Sequence, residues 1–152
     1  MRYIFVMADK FDALKLENQL CFPLYSAANK IVRSYTPLLE KLNLTYTQYI
    51  TMMVLWENGD INEKELGKKL FLKSNTLAPL LKKLEAKEYI EIKKDKEDGR
   101  NIIIHLTSKG EALKEAAVDI PPSIASSVHL SKEDAQKLYE VLYKYLNDGE
   151  ED

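Results

Sequence analysis

The sequence predicts a mainly α-helical fold with a small β-hairpin: a winged helix-turn-helix with further helices before and after it. Three observations carry this prediction. Two short helix-forming stretches, INEKELGKKL and SNTLAPLLKKLEAKEY, are separated only by FLK. A basic strand–turn–strand run, IEIKKDKEDGRNIIIHLT, follows at once. Amphipathic stretches with capping signals lie on both sides of that block. A helix-turn-helix followed by a charged hairpin suits one task above others, reading duplex DNA with a helix while the hairpin grips it.

Each element has its own signal. Leu20, Leu24, Ala27, Ala28 and Ile31 trace an apolar stripe that is expected to end before Pro37. Thr45 with Gln48 forms a capping-box pattern that opens a helix through Trp56, stopped by Asn58-Gly59. Asn62 with Glu65 repeats the pattern, and Leu66 and Leu70 then fall one turn apart. Ser74 is the N-cap candidate of the next helix, where Leu77, Leu80, Leu81 and Leu84 cluster on one face. Pro79 removes one backbone hydrogen bond there, which predicts a tight or slightly bent start and not a break. Ile90 and Ile92, then Ile102–Ile104 with Leu106, read as two strands joined through the Asp98-Gly99 turn. Thr107 or Ser108 caps a helix through about Val118, with Pro121-Pro122 after it. Ser131 with Asp134 opens a last helix to about Leu146, striped by Leu138, Val141, Leu142, Tyr145 and Leu146, with Tyr139 and Tyr143 beside the stripe.

The leucine face of the SNTLAPLLKKLE helix leaves Asn75, Ala78, Pro79 and Lys82 on the opposite side, flanked by Thr76 and Lys83. Small side chains at its N-terminal end suit approach to the floor of a major groove. Periodicity alone equally fits an ordinary amphipathic surface helix. The hairpin that follows favours the DNA reading. Arg100 with Lys93 or Lys94 would reach phosphate or a narrow minor groove, and Asp98 is expected to orient Arg100 through a charge-assisted hydrogen bond. Overall the chain carries 22 basic and 24 acidic residues, a net charge of −2. From Lys64 to Lys94, however, nine lysines face only Glu65, Glu85, Glu88 and Glu91. Acidic residues gather elsewhere, in Asp9–Glu17 and Asp148–Asp152. A DNA reader needs positive charge only where it touches DNA.

Length and composition bound the remainder. With 152 residues, 45% of them apolar, the chain suits one domain with a sizeable core. The expected layout is residues 1–152 as a single unit, with pairing helices at about 11–36 and 108–147 around a winged helix-turn-helix at about 45–107. No apolar run approaches membrane-spanning length, and Met1–Lys10 lacks the basic start and apolar core of a leader. One cysteine makes no internal disulfide, so a cytoplasmic protein is expected. No metal-spaced cluster, phosphate loop or nucleophile elbow occurs, and neither His105 nor His129 sits in a catalytic motif. The chain therefore reads as a non-enzyme without metal or cofactor. So much apolar terminal helix fits a core, or pairing with a second copy. A two-fold dimer would set two recognition helices about 34 Å apart, one turn of an inverted-repeat operator.

Cys21 lies in NQLCFPLY. Proline is easy in the first turn of a helix, so Pro23 predicts a helix starting near Leu20–Phe22. Peroxides are attacked by the thiolate, and the positive end of a helix dipole with hydroxyl donors nearby favours that anion. Against this stands the ordinary reading of a lone cysteine among apolar residues, an inert small hydrophobe.

The strings SNTLAPLLKKLE, DGR and LTSKGEAL resemble the MarR family of winged-helix regulators. ENQLCFPLYSA, SYTPLLEKLNLTYTQY and WENGDINEKELGKKLF resemble its organic-hydroperoxide branch, and the likeness runs from about Phe11 to Leu146. The resemblance implies a homodimeric DNA-binding regulator, a repressor, of the one-cysteine type. It implies that Cys21 is the peroxide sensor, with Tyr35 and Tyr46 of a partner subunit hydrogen-bonding the thiol and Tyr25 near the pocket. It implies DNA contacts at Ser74, Asn75, Thr76 and Pro79 and at the wing tip, Asp98 and Arg100. Asn75 and Ala78 stand where glycine and threonine are common in the family, which bears on operator preference. No resolving cysteine is present, so the implied route runs to a mixed disulfide with a small thiol or to irreversible acids. Three other readings stay open: a regulator released by a small aromatic effector with Cys21 structural, a one-cysteine peroxidase, and a winged helix that binds protein only.

Overall fold

The computed structural model describes residues 9–148. The first eight residues, and the acidic tail beyond Asp148, lie outside the described residues. Two 3-10 turns, Asp12–Leu14 and Leu16–Asn18, precede α1 (Cys21–Leu39). Helix α1 thus starts within the Leu20–Phe22 window that Pro23 predicts, while the first ten residues of the pairing segment expected at about 11–36 are turns and not helix. Lys15 between the turns is extended, and Asn18 Nδ2 donates to the Asp12 carbonyl at 2.8 Å, a local turn bond that competes with helix. Pro23 falls in the first turn of α1, as its chemistry requires. Pro37 does not end the helix: α1 continues to Leu39 and passes into a 3-10 turn, Glu40–Leu42. A proline so near the C-terminus removes one bond with little helix left to bend.

The capping box at Thr45 and Gln48 is present in both directions and opens α2 (Tyr46–Asn58). Gly59, at φ 70°, ends it. Asn62 caps α3 (Glu63–Leu70), accepting from the Lys64 N–H at 2.8 Å in place of the reciprocal box expected with Glu65. The turn into α4 (Ser74–Ala86) hinges on Phe71 at φ 53°, with the Leu72 N–H reaching back to the Gly67 carbonyl at 2.9 Å. A Cβ on Gly67 would lie 2.9 Å from the Leu72 carbonyl, so glycine permits this approach.

Leu66, Leu77, Leu81 and Leu84 are at most 1% exposed and pack with Met52, Leu55, Ile90 and Ile104. Full burial of each such side chain contributes about 1.5–3 kcal/mol. Strands β2 (Ile90–Lys94) and β3 (Ile102–Leu106) form the expected antiparallel hairpin, with Ile92 opposite Ile104. A third strand, β1 (Ile61–Asn62), adds to the far side of β3, giving the order β1-β3-β2. Two residues are too short to show alternation in sequence.

Thr107 caps α5 (Ser108–Ala117), its Oγ1 accepting from the Gly110 N–H at 3.0 Å. The Pro121-Pro122 pair lies in the first turn of a further helix, α6 (Ile120–Ser127), where missing N–H groups cost nothing. Ser131 caps α7 (Lys132–Asn147) as expected, accepting from the Asp134 N–H at 3.0 Å. Among the described residues, no helix is long and apolar enough to cross a membrane.

Gly110 sits where α5 crosses the start of β2. A Cβ there would fall 2.1 Å from the Tyr89 carbonyl oxygen, and its own carbonyl accepts from Trp56 Nε1 at 3.0 Å. Gly110→Ala is expected to lower stability by about 1–3 kcal/mol, as overpacking does. Gly99→Ala, with open space around it, is expected to leave the thermal midpoint unchanged. Circular-dichroism melts of both variants check this; equal midpoints would refute the close approach.

Candidate functional site

Helix α4 buries its leucine stripe and leaves the opposite side free. Ser74, Asn75, Thr76, Pro79, Lys82 and Lys83 are all exposed, and Ala78 is half-buried. Ser74 is not the N-cap. Lys73 takes that position without a side-chain cap bond, and Ser74 is the first helical residue. The reason is the tight turn at Phe71, which leaves Lys73 extended and lets its carbonyl accept from Thr76 and Leu77 at 2.9 and 3.0 Å. Pro79 lies within the helix without ending it.

The hairpin tip is built by side chains folding back onto backbone. Asp95 Oδ1 accepts from the Glu97 N–H at 2.9 Å, and Asp98 Oδ1 accepts from the Arg100 N–H at 3.0 Å. Asp98 thus orients Arg100 through its backbone; the expected guanidinium bond is not formed, because the short aspartate closes its own turn first. The Arg100 side chain is exposed and free of ion pairs among the described residues. Lys93 is paired with Glu91 on the same face of β2, while exposed Lys94 makes no ion pair among the described residues. That pairing, through the hydrogen bond first and charge second, holds the Glu91 carboxyl below the usual range. His105 is a strand residue of β3, its Nδ1 2.7 Å from Asp60 Oδ2.

Cys21 occupies the first helical position of α1, with its residue exposed. It is not a buried small hydrophobe of this protomer. Tyr25 stands one turn further along and is 69% exposed. Tyr35 is fourteen residues from Cys21 on the same helix, about 21 Å at the α-helical rise. Its ring meets that of Tyr46, the first residue of α2, with centroids 5.0 Å apart. Burial, with Tyr46 adding, pushes the Tyr35 phenol above its usual value, so both its proton and its donor capacity persist at neutral pH. A single protomer therefore brings the two tyrosines together and leaves the cysteine at the far end of α1.

Beside this pair lies a groove of about 850 Å³ between α2, α5 and α7, walled by Tyr46, Ile50, Met53, Phe71, Tyr143 and Leu146 among others. Sequence reasoning missed it, although Tyr46, Ile50 and Met53 recur at helical spacing; the pattern shows a face but not what the face encloses. Apolar surface also remains uncovered on α1 and α7. Leu24 and Ile31 are 37% and 39% exposed, Leu138 and Val141 44% and 65%, and α7 buries no residue.

Residues 33–117 match the family model of the SarA/Rot transcriptional regulators. The chain is 46% identical over 140 residues to the organic hydroperoxide resistance transcriptional regulator of Bacillus subtilis (strain 168), spanning 92% of this chain and 95% of that one. Among solved structures it is similar to reduced AbfR bound to DNA, with a TM-score of 0.74 and 32% identity over 91% of this chain and 96% of that one. Overoxidized AbfR bound to DNA matches equally well, at TM-score 0.74 and 31% identity over 92% and 98%. AbfR is a protein of Staphylococcus epidermidis.

Proposed function

The chain belongs to the MarR-type winged-helix regulators, in the organic-hydroperoxide branch, and from that premise we propose a homodimeric repressor that holds an inverted-repeat operator while reduced and releases it when Cys21 is oxidised. The observation that carries this reading is an exposed thiol at the start of α1 in a chain whose recognition face also stands free. Ser74, Asn75, Thr76 and Pro79 would meet the major groove; Lys82, Lys83, Lys93 and Lys94 would meet phosphates; Arg100, on the turn closed by Asp98, would enter the minor groove. A regulator of this kind, with one unpaired cysteine, works in the cytoplasm and turns over no substrate.

The chemistry runs in two steps. The Cys21 thiolate attacks the outer oxygen of the hydroperoxide; the O–O bond breaks, an alcohol leaves and a sulfenic acid forms. A small thiol then attacks the sulfur, water leaves and a mixed disulfide remains, since no second cysteine is available. The overoxidized relative bound to DNA favours the bulky disulfide, and not added oxygen alone, as the releasing species. The partner's tyrosine pair would lose its bonds to the sulfur, and a small rotation would spoil the half-site spacing. The apolar groove supports a second reading, release by a small aromatic effector with Cys21 structural.

Two measurements test the assignment. Arg100→Ala and Lys82→Ala are each expected to weaken operator binding by about 1–3 kcal/mol without shifting the melt, while wild-type affinity falls steeply with salt. Unchanged affinity in both variants would remove the wing and the recognition face from the interface. Cys21→Ser is expected to bind DNA and ignore organic hydroperoxide with a small thiol, whereas wild type releases DNA and rebinds after reduction. Peroxide-driven release in Cys21→Ser would transfer the case to the effector reading.

A further inference from the structure

The C-terminal end of α4 is fastened to the turn between α1 and α2, well away from the face offered to DNA. Lys87, which closes α4, donates from Nζ to the Asn43 carbonyl at 2.6 Å and to Gln48 Oε1 at 2.9 Å. The buried hydroxyl of Tyr89 donates to the Leu42 carbonyl at 3.3 Å. Gln48 is 3% exposed, and the same Oε1 accepts from the Thr45 N–H at 3.1 Å. One amide oxygen therefore serves both the first turn of α2 and the residue that closes α4. The fastened turn lies between Tyr35, near the end of α1, and Tyr46, at the start of α2. Burial first, and Lys83 second, push the Lys87 ammonium below the ordinary lysine range, in keeping with a head group drawn into the turn.

We propose that Lys87 is a positioning residue of the redox switch, a strap that hands displacement of the tyrosine-bearing turn to the recognition helix. The proposal rests on the reading of Cys21 and the tyrosines given above. An ammonium with two short bonds to one turn follows that turn, because leaving it half-buried without acceptors is costly. The leucine stripe of α4 holds the helix in its place without the strap, so DNA binding in the reduced state does not depend on it. Without the strap, the longer Tyr89 bond is what remains of these ties, and α4 follows the turn less closely. Lys87 is not a phosphate contact in this arrangement, since its Nζ points at Asn43 and Gln48. A plain cap of the α4 carbonyls would change stability and leave the response to oxidation intact.

The test compares wild type, Lys87→Met and Lys87→Arg as full-length dimers on a duplex from the chain's own upstream DNA. Affinity is read by fluorescence anisotropy before and after cumene hydroperoxide with free cysteine, and intact mass gives the extent of Cys21 modification. Wild type is expected to lose affinity by a factor in the usual range of allosteric coupling, about 5–150-fold. Lys87→Met is expected to match wild type when reduced, to be modified at Cys21 to the same extent, and to keep most of its affinity afterwards. Lys87→Arg restores the loss. Should Lys87→Met lack a cooperative melt, Lys87→Gln carries the same comparison. The proposal is overturned if the modified variant releases DNA by the wild-type factor, or if it binds poorly while still reduced. A wild type that is modified at Cys21 and stays on DNA overturns the sensor reading itself, and the strap with it.

Discussion

Everything the molecule offers to a partner depends on how α4 is buried. Leu77, Leu81 and Leu84 are sunk against Leu66, Met52, Leu55 and the isoleucines of the sheet. That single stripe fixes the rotation of the helix about its own axis. Once the leucines are in, Asn75, Pro79 and Lys82 have nowhere to go but outward. The turn at Phe71 fixes the angle at which α4 leaves α3, and Gly67 lets the two come close enough to share the core. The exposed face is a by-product of the buried one, and it is as rigid as the core behind it.

Charge is distributed by the same logic. The basic segment is not uniformly available: Lys87 is spent on the α1–α2 turn and Lys93 on Glu91. Lys82 and Lys83 on α4 and Lys94 and Arg100 on the wing form no ion pair among the described residues, and neither do Lys64, Lys68 and Lys69 of α3 or Lys73 at the start of α4. A surface pair such as Lys93–Glu91 is weak enough to exchange for a phosphate, so it tunes binding without blocking it.

The sequence was most legible where a local rule decides the structure. Thr45 and Ser131 cap the helices they were read to cap, Thr107 is the cap of the two candidates Thr107 and Ser108, and the hairpin pairs about its Asp98-Gly99 turn. It misled where a residue has two uses. Ser74 has the chemistry of an N-cap, but the turn at Phe71 moves that role to Lys73. Asp98 has the charge to hold a guanidinium, but the nearer Arg100 N–H takes its oxygen. It was silent wherever the cause lies far along the chain, as with β1, the groove beside Tyr46 and the bonds of Lys87 to residues about forty positions away. The candidate site divides likewise: exposure of the recognition face follows from spacing, while the distance between Cys21 and the tyrosines appears only once α1 is seen as one uninterrupted helix.

That distance has a consequence for the assembly. Cys21 and Tyr35 stand at opposite ends of α1, about 21 Å apart, and a straight helix does not bring its own ends together. The pocket that the family resemblance implies is therefore closed by no motion within one protomer. Two copies of α1 crossing about a two-fold axis, antiparallel, place the start of each beside the end of the other. The uncovered apolar residues lie where such a pairing needs them: Leu24 and Ile31 on α1, Leu138 and Val141 on α7. In the homodimer we propose, the thiol of one chain would thus report to the tyrosines of the other, and each α4 would answer to its partner's cysteine. A sensor divided in this way gives no signal as a monomer. In that proposed dimer, oxidation at either cysteine would strain the contact between the two chains, which would also set the spacing of the two recognition helices.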